Sequence, residues 1–373
     1  MSDLLANLPG RHLEAWHYTD LKALKSFAFA APAPAAIDSA LLPDLAMNRI
    51  VFVNGFLDEA LSVLPAWARL SSHEATKSDL PLAILNAQHR QAGIAIDIPD
   101  DVDAGAILLI SISQAGAPIA LFPRHRISLG RNAKLTLIDI AQGEGVYWHN
   151  PVSEISLADA AQLSHYRLQD EAEAAFHTAT IFADIAASAA YESFSLVLGG
   201  QLSRAEFHAR LGGAGADIHL NAAQLLAGTQ HADFTSVVSH DAPHCASRQT
   251  VKSVLAGHSR GVFQGRIEVA RAAQKTDGYQ MNQALLLSPH AEIDSKPELE
   301  IFADDVKCSH GATIGALDPE QIFYLRSRGI PEPEARAMLI RAFIDEALAP
   351  VTHDQARALL ERAIEGAWSK LVS

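Results

Sequence analysis

Cys308 and His310 stand two residues apart in DVKCSHGA, and on an extended strand positions i and i+2 project from the same face. The pair would present a thiol and an imidazole side by side, a donor set suited to a soft or borderline metal or to thiol chemistry. The bland alternative is a small buried hydrophobe beside a hydrogen-bonded histidine, since free cysteines usually pack as hydrophobes. A second constellation, His240, His244 and Cys245 in SHDAPHCAS, has zinc-like spacing but lacks a fourth ligand. Pro243 also distorts any helix that would align its two histidines. Asp304 and Asp305 precede CSHGA; as strand neighbours they point to opposite faces, which favours a solvated turn over a paired-carboxylate site. Lys275 and Asp277 in AQKTDGY place an amine beside a carboxylate, and a salt bridge at a chain turn explains them most simply.

Composition narrows the chemistry further. The 373 residues carry 29 Lys+Arg against 43 Asp+Glu, a net charge of −14 that disfavours nonspecific binding to nucleic acid or to an anionic membrane surface. Two cysteines, Cys245 and Cys308, are too few for a four-thiolate cluster within one chain, so any cluster ligation needs other donors or another subunit. No G-x-x-x-x-G-K-[ST] occurs, and LGGAGAD lacks the spacing of a dinucleotide fingerprint, so ATP hydrolysis, if involved, comes from a partner. No apolar run approaches a membrane span, and MSDLLANLPGRHLEAW lacks signal-peptide order. The expected compartment is the cytoplasm, with both thiols free.

The elements that must position these residues fall into three regions. Residues 1–96 read as a mixed region: Leu13, Trp16, Leu21, Leu24 and Phe27 lie close to helical spacing. A stiff proline-containing linker follows near 30–38, then a strand at IVFVNG and a helix around Leu82–Gln91. From about Asp97 the texture becomes short alternations separated by turns. Comparable starts fall at Ile127, Ile155, Ile181, Phe207 and Phe234. A recurrence of roughly 27 residues marks stacked units, and each unit is too short for a βαβ turn. The reading is mainly β: a right-handed parallel β-helix core over 97–325 whose many alanines let the coils close around a narrow interior. In 326–373 the texture is helical again. Pro331 and Pro333 open one amphipathic helix carrying Met338 and Phe343, Pro350 breaks it, and Thr352 with Gln355 forms a capping box for a second.

Four stretches, AQKTDGYQMNQALLLSPHAEIDSKPELEIFADDVKCSHGATIG, QIFYLRSRGI, AWHYTDL and IVFVNG, resemble the SufB/SufD family of the Suf iron-sulfur cluster assembly system. Residues 235–345 carry most of the likeness, and CSHGA with the modest length favours the SufD branch. The resemblance implies a β-helix flanked by helical regions and a non-catalytic assembly subunit that pairs with a SufB-like subunit, or with itself when alone. It also implies docking of SufC-like ATPases through the C-terminal helices, here 329–348 with Pro331, Met338 and Phe343. It implies a transient iron-sulfur cluster or iron at the subunit interface, mapped onto His310 with Cys308 as accessory. Flavin belongs, in that resemblance, to the wider complex, and no motif here assigns it. Two rival readings are a SufB-like scaffold that carries a cluster alone and a carbohydrate-active β-helix enzyme, for which no compact carboxylate pair stands out.

Overall fold

A computed structural model describes residues 4–5, 8–71, 78–114 and 116–372. From Gly93 onward the chain alternates between two sheets, of ten and eleven strands among the described residues, and within each sheet the strand of one coil pairs in parallel with the strand of the next. The result is a parallel β-solenoid of about eight turns with helices at both termini. The strand Asn48–Val53 of the IVFVNG segment is its first parallel rung, pairing with Asp103–Gln114.

Register corrects the repeat read from sequence at two steps. Ile127 does pair with Ile155, but Ile155 pairs with Ala183 rather than Ile181, and Phe207 pairs with Ser236 rather than Phe234. Each correction moves the partner two positions along the chain, so the coil is slightly longer than the pattern implies, roughly 28 residues per turn. A two-residue slip leaves the facing unchanged, because side chains alternate with period two. The apolar residues named from the pattern therefore do point inward. Phe207, Phe234 and Phe263 stack up the interior with ring centroids 5.2 and 6.5 Å apart, each removed from water at roughly 1.5–3 kcal/mol.

The alanines make a column. Ala133, Ala161, Ala189 and Ala216 each sit one residue before a strand of the ten-stranded sheet, fully buried, and Cys245 and Thr276 continue the series. One residue earlier, Asp101, Asn132, Ala160, Ser188, Gly215, His244 and Lys275 all adopt the left-handed conformation with φ between 54° and 71°. Each donates its backbone N–H to a carbonyl of the next coil, as in Ala160 to Ala187 at 2.9 Å and Ser188 to Ala214 at 3.0 Å. The corner is thus a hydrogen-bonded ladder that only one glycine relieves, although a left-handed L-residue costs about 1–2 kcal/mol.

Helices close the outer faces. Glu332–Leu348 and Asp354–Val372 lay Ile340, Ile344, Leu360 and Ile364 onto the ten-stranded sheet, beside Ile138, Leu196 and Leu225. Here His353, not the Thr352/Gln355 pair, caps the last helix: its Nδ1 accepts the Ala356 N–H at 3.3 Å, while Thr352 bonds the Tyr166 hydroxyl at 3.2 Å. On the opposite face the N-terminal segment forms two short 3-10 turns, Glu14–Trp16 and Lys22–Ser26, instead of one helix. Helix Pro81–His89 packs nearby through Leu82 and Leu85. None of the described helices is long and apolar enough to cross a membrane.

Candidate functional site

Cys308 and His310 lie on Lys307–Gly315, the last strand of the ten-stranded sheet, which pairs on one side only: Cys308 beside Gly278 and His310 beside Gln280. Both project from the inward face at the end of the solenoid. Cys308 packs at the edge of the Ile267–Val269–Ala273 cluster. Burial pushes its thiol up, against the contrary pull of the Gly278 backbone, so the sulfur is a thiol at neutral pH until a metal or base takes the proton. His310 stays exposed because no coil covers it.

Beneath His310 the interior is polar. Gln249, Gln280 and His310 occupy equivalent positions of three successive strands. Gln280 is fully buried with neither amide atom matched, Asn282 likewise, and the Nε2 of Gln249 is unmatched while its Oε1 accepts from Ser236 at 2.5 Å. Buried amides without partners are rare in apolar interiors, so this column differs in kind from the phenylalanine stack across from it.

The two ends of the strand pair are unequal. On Glu292–Ile301, the last strand of the other sheet, Pro297 has no N–H to offer, and Glu298, Glu300 and Lys296 carry charge along it. Lys307–Gly315 has no proline and one charged residue. Large apolar side chains stand exposed close by in sequence: Phe302 at 61%, Ile314 at 53% and Phe323 at 73%.

Other sequence candidates resolve structurally. Cys245 is a member of the alanine column, and its Sγ donates to the Gly213 carbonyl at 3.2 Å. His240 bonds Ser247 at 2.9 Å inside the solenoid, and burial drives its imidazole down to about 4. His244 is an exposed corner residue. The three do not converge. Lys275 pairs with Asp305 of the next coil rather than with Asp277, which instead meets Arg248 at 2.9 Å. Pro331 caps its helix and is exposed. Met338, 46% exposed, lines a shallow groove with Ala342 and Trp368, whereas Phe343 turns toward the solenoid under Lys252, whose Nζ lies 4.6 Å from the ring and 2.5 Å from Glu346.

The AWHYTDL stretch proves to be a clip. Trp16 lies under the Arg204 guanidinium at 4.1 Å, and Arg204 is fully buried and ion-paired with Asp233 and Glu206. Thr19 donates to Asp233 and meets His231 at 3.0 Å.

A buried polar group inside the middle coils went unread. His149 and His177 are in register one coil apart, and so are Asp139 and Arg167. The signal was available, since both pairs repeat at the same interval as Ile127 and Ile155, the first step of the pattern. Glu171 lies between the histidines, 3.1 Å from His149 Nδ1 and 2.7 Å from His177 Nδ1. Burial alone would raise the Glu171 carboxyl, but the two imidazoles outweigh it and hold it well below the usual carboxylate range; burial lowers His177. Asp139 approaches His165 at 3.6 Å and Arg167 at 3.5 Å, and the part of its side chain that is not covered faces a cavity of about 30 Å³.

Comparisons with known proteins agree with this architecture. Residues 111–343 match the family described as SUF system FeS cluster assembly, SufBD core domain. The iron-sulfur cluster assembly SufBD family protein slr0076 of Synechocystis is 32% identical, covering 93% of this chain and 85% of its own. The iron-sulfur cluster assembly protein SufD of Escherichia coli is 34% identical over 92% of this chain and 85% of its own length. A chloroplastic protein of Arabidopsis thaliana, ABCI7, is 38% identical over 60% of this chain and 47% of its own. A parallel solenoid carrying the quoted motifs in order, matched over most of its length to these proteins, makes this chain a member of the SufBD family of iron-sulfur cluster assembly proteins.

Proposed function

We propose that this chain is a SufD-type scaffold subunit that adds a SufB-like solenoid to its open strand edge and contributes His310 to a nascent cluster, or to its iron, at that junction. The observation that carries the reading is the asymmetry of the last coil: one terminal strand is blunted by Pro297 and charge, while Lys307–Gly315, paired along one edge only, has no strand on its other edge among the described residues and leaves Ile314 exposed alongside. Edge strands of that kind are templates for strand addition. Strand addition there would bring a partner's side chains over the inward face that holds His310. A neutral imidazole is an apt ligand for ferrous iron, and a site with few thiolates releases its cluster readily. Cys308, protonated and half-buried, serves as the accessory donor.

The C-terminal helices supply the second contact. The groove of Met338, Ala342 and Trp368 receives a SufC-like ATPase, flanked by Pro331, with Phe343 holding the helix to the solenoid underneath. Energy from ATP would then come from the partner, and this chain would catalyse nothing itself.

Co-expression with SufB-like and SufC-like proteins, followed by mass determination on the eluted species, tests the assembly; the expected result is one defined complex of all three. Within it, His310→Ala is expected to abolish cluster formation with the complex intact, and Cys308→Ser to reduce it less. Normal cluster formation by the His310 variant refutes the ligand assignment. Stoichiometric iron and sulfide held by the isolated chain after anaerobic reconstitution would instead mark a self-sufficient scaffold.

A further inference from the structure

Three donors converge in the buried interior far from His310. Strand Tyr147–His149 and strand Phe176–Ile185 are in register, with Trp148 over Phe176 on the outer face and His149 over His177 on the inner. Trp148 fixes this pair by donating from Nε1 to Thr178 at 2.8 Å, and Glu171 enters from the preceding loop. Its backbone is pinned: a Cβ on Gly199 would lie 2.2 Å from the Glu171 carbonyl oxygen, so only glycine lets the next coil close over it. Gln169 donates to Glu171 Oε2 at 2.9 Å, orienting the carboxylate from behind. All three side chains are at most 4% exposed, and their donor atoms lie within 4.8 Å of one another.

One contact here is unlike an ordinary hydrogen bond. His177 Nδ1 approaches Glu171 Oε2 to 2.7 Å but off the line that a hydrogen bond needs, and it has no other partner. Two donors about 3 Å apart have the separation of neighbouring ligands around one cation at bond lengths of about 2.1 Å. His149 and His177 also line the internal cavity, whose 30 Å³ is enough for an ion and a water.

We propose that His149, Glu171 and His177 form a binding site for a divalent first-row metal ion, ferrous iron or zinc, inside the solenoid. Two imidazoles and a carboxylate suit those ions over magnesium or calcium, which take oxygen ligands. The site stands apart from the terminal coil: His177 is four strands along its sheet from the last one, roughly 20 Å at the spacing of paired strands. It therefore neither requires nor supports the role assigned to His310.

The test uses the full chain, stripped with chelator and equilibrated anaerobically with Fe²⁺ or Zn²⁺ in separate arms, then desalted and measured by elemental analysis. The expected result is one ion retained per chain in one or both arms, unchanged in His310→Ala and at least tenfold weaker in His149→Gln and His177→Gln with unchanged circular dichroism. Retention of no ion by the folded wild-type chain overturns the proposal, as does equal retention by the two glutamine variants. Should those variants fail to fold, cobalt loading of the wild-type chain decides. Visible bands of a four- or five-coordinate Co²⁺ site with nitrogen ligands in X-ray absorption support it, and a spectrum of hexa-aqua Co²⁺ refutes it.

Discussion

Replacing Trp16 by alanine should release the N-terminal segment without unfolding the solenoid. Trp16 is 2% exposed, packs with Leu21, Leu24 and Phe29, and covers the Arg204 guanidinium at 4.1 Å. Truncating a buried tryptophan costs about 3–5 kcal/mol, part of which here is the cation–π contact. The remaining ties are weaker. Glu14 and Lys296 pair at 2.6 Å with Glu14 in solvent, where water and salt screen the bridge to a minor contribution; Thr19 keeps its bond to Asp233, now open to competing water. At about 1.36 kcal/mol per tenfold, losing about 3 kcal/mol lowers the protection of amides in 13–30 by roughly two orders of magnitude. Strands Leu202–Leu211 and His231–His240, each paired on both sides along their length, should hold theirs. Hydrogen exchange read by mass spectrometry is the assay, with Trp16→Phe as the milder control. Unchanged protection in 13–30 would refute the clip. Parallel loss in both strands would show that the segment belongs to the solenoid's cooperative unit instead.

Other expectations come from the same packing. Cys245→Ala should cost only about 1 kcal/mol and leave cluster assembly intact, because alanine already fills that column in four earlier coils; a drop above about 3 kcal/mol in denaturant titration contradicts this. Gly213→Ala puts a Cβ 2.1 Å from the Ala187 backbone nitrogen and should cost roughly 3 kcal/mol. Gly215→Ala, with φ +71° but its nearest neighbour at 3.7 Å, should cost roughly 1 kcal/mol, and thermal melts showing the reverse order would sink the steric argument. His240 is neutral in the fold down to about pH 4 but titrates near 6.5 when unfolded, so its contribution is complete above 6.5. It is lost as the pH falls toward 4, because only the unfolded chain gains the proton. His240→Gln should therefore flatten the stability decline between pH 6.5 and 4 by up to about 3 kcal/mol in denaturant midpoints across that range, and an unaltered slope would exclude His240 as its source.

Much of the architecture was legible in local pattern. Alternation with period two and a recurrence from Ile127 through Phe234 dictate stacked strands, because each coil has only one inward face to bury, and the alanines fit a tight corner. Helix Pro81–His89 and the two C-terminal helices followed from apolar spacing and proline placement. The corner ladder was hidden, since Asp101, Asn132, Ala160, Ser188, His244 and Lys275 share a backbone conformation and no side-chain chemistry.

Only the stacking decided the rest. His310 is exposed, and Gln280 buried beside it, because no further strand covers Lys307–Gly315, and a local stretch carries no sign of where a stack ends. Cys245 became a packing residue because its neighbours one coil away are small. His149, Glu171 and His177 meet because one turn of the solenoid returns the chain to the same place, while Trp16 meets Arg204 across a stretch of chain that no periodicity links. Sequence determined which faces were apolar and how long a turn must be; tertiary closure determined which polar side chains were carried inside and left to find one another.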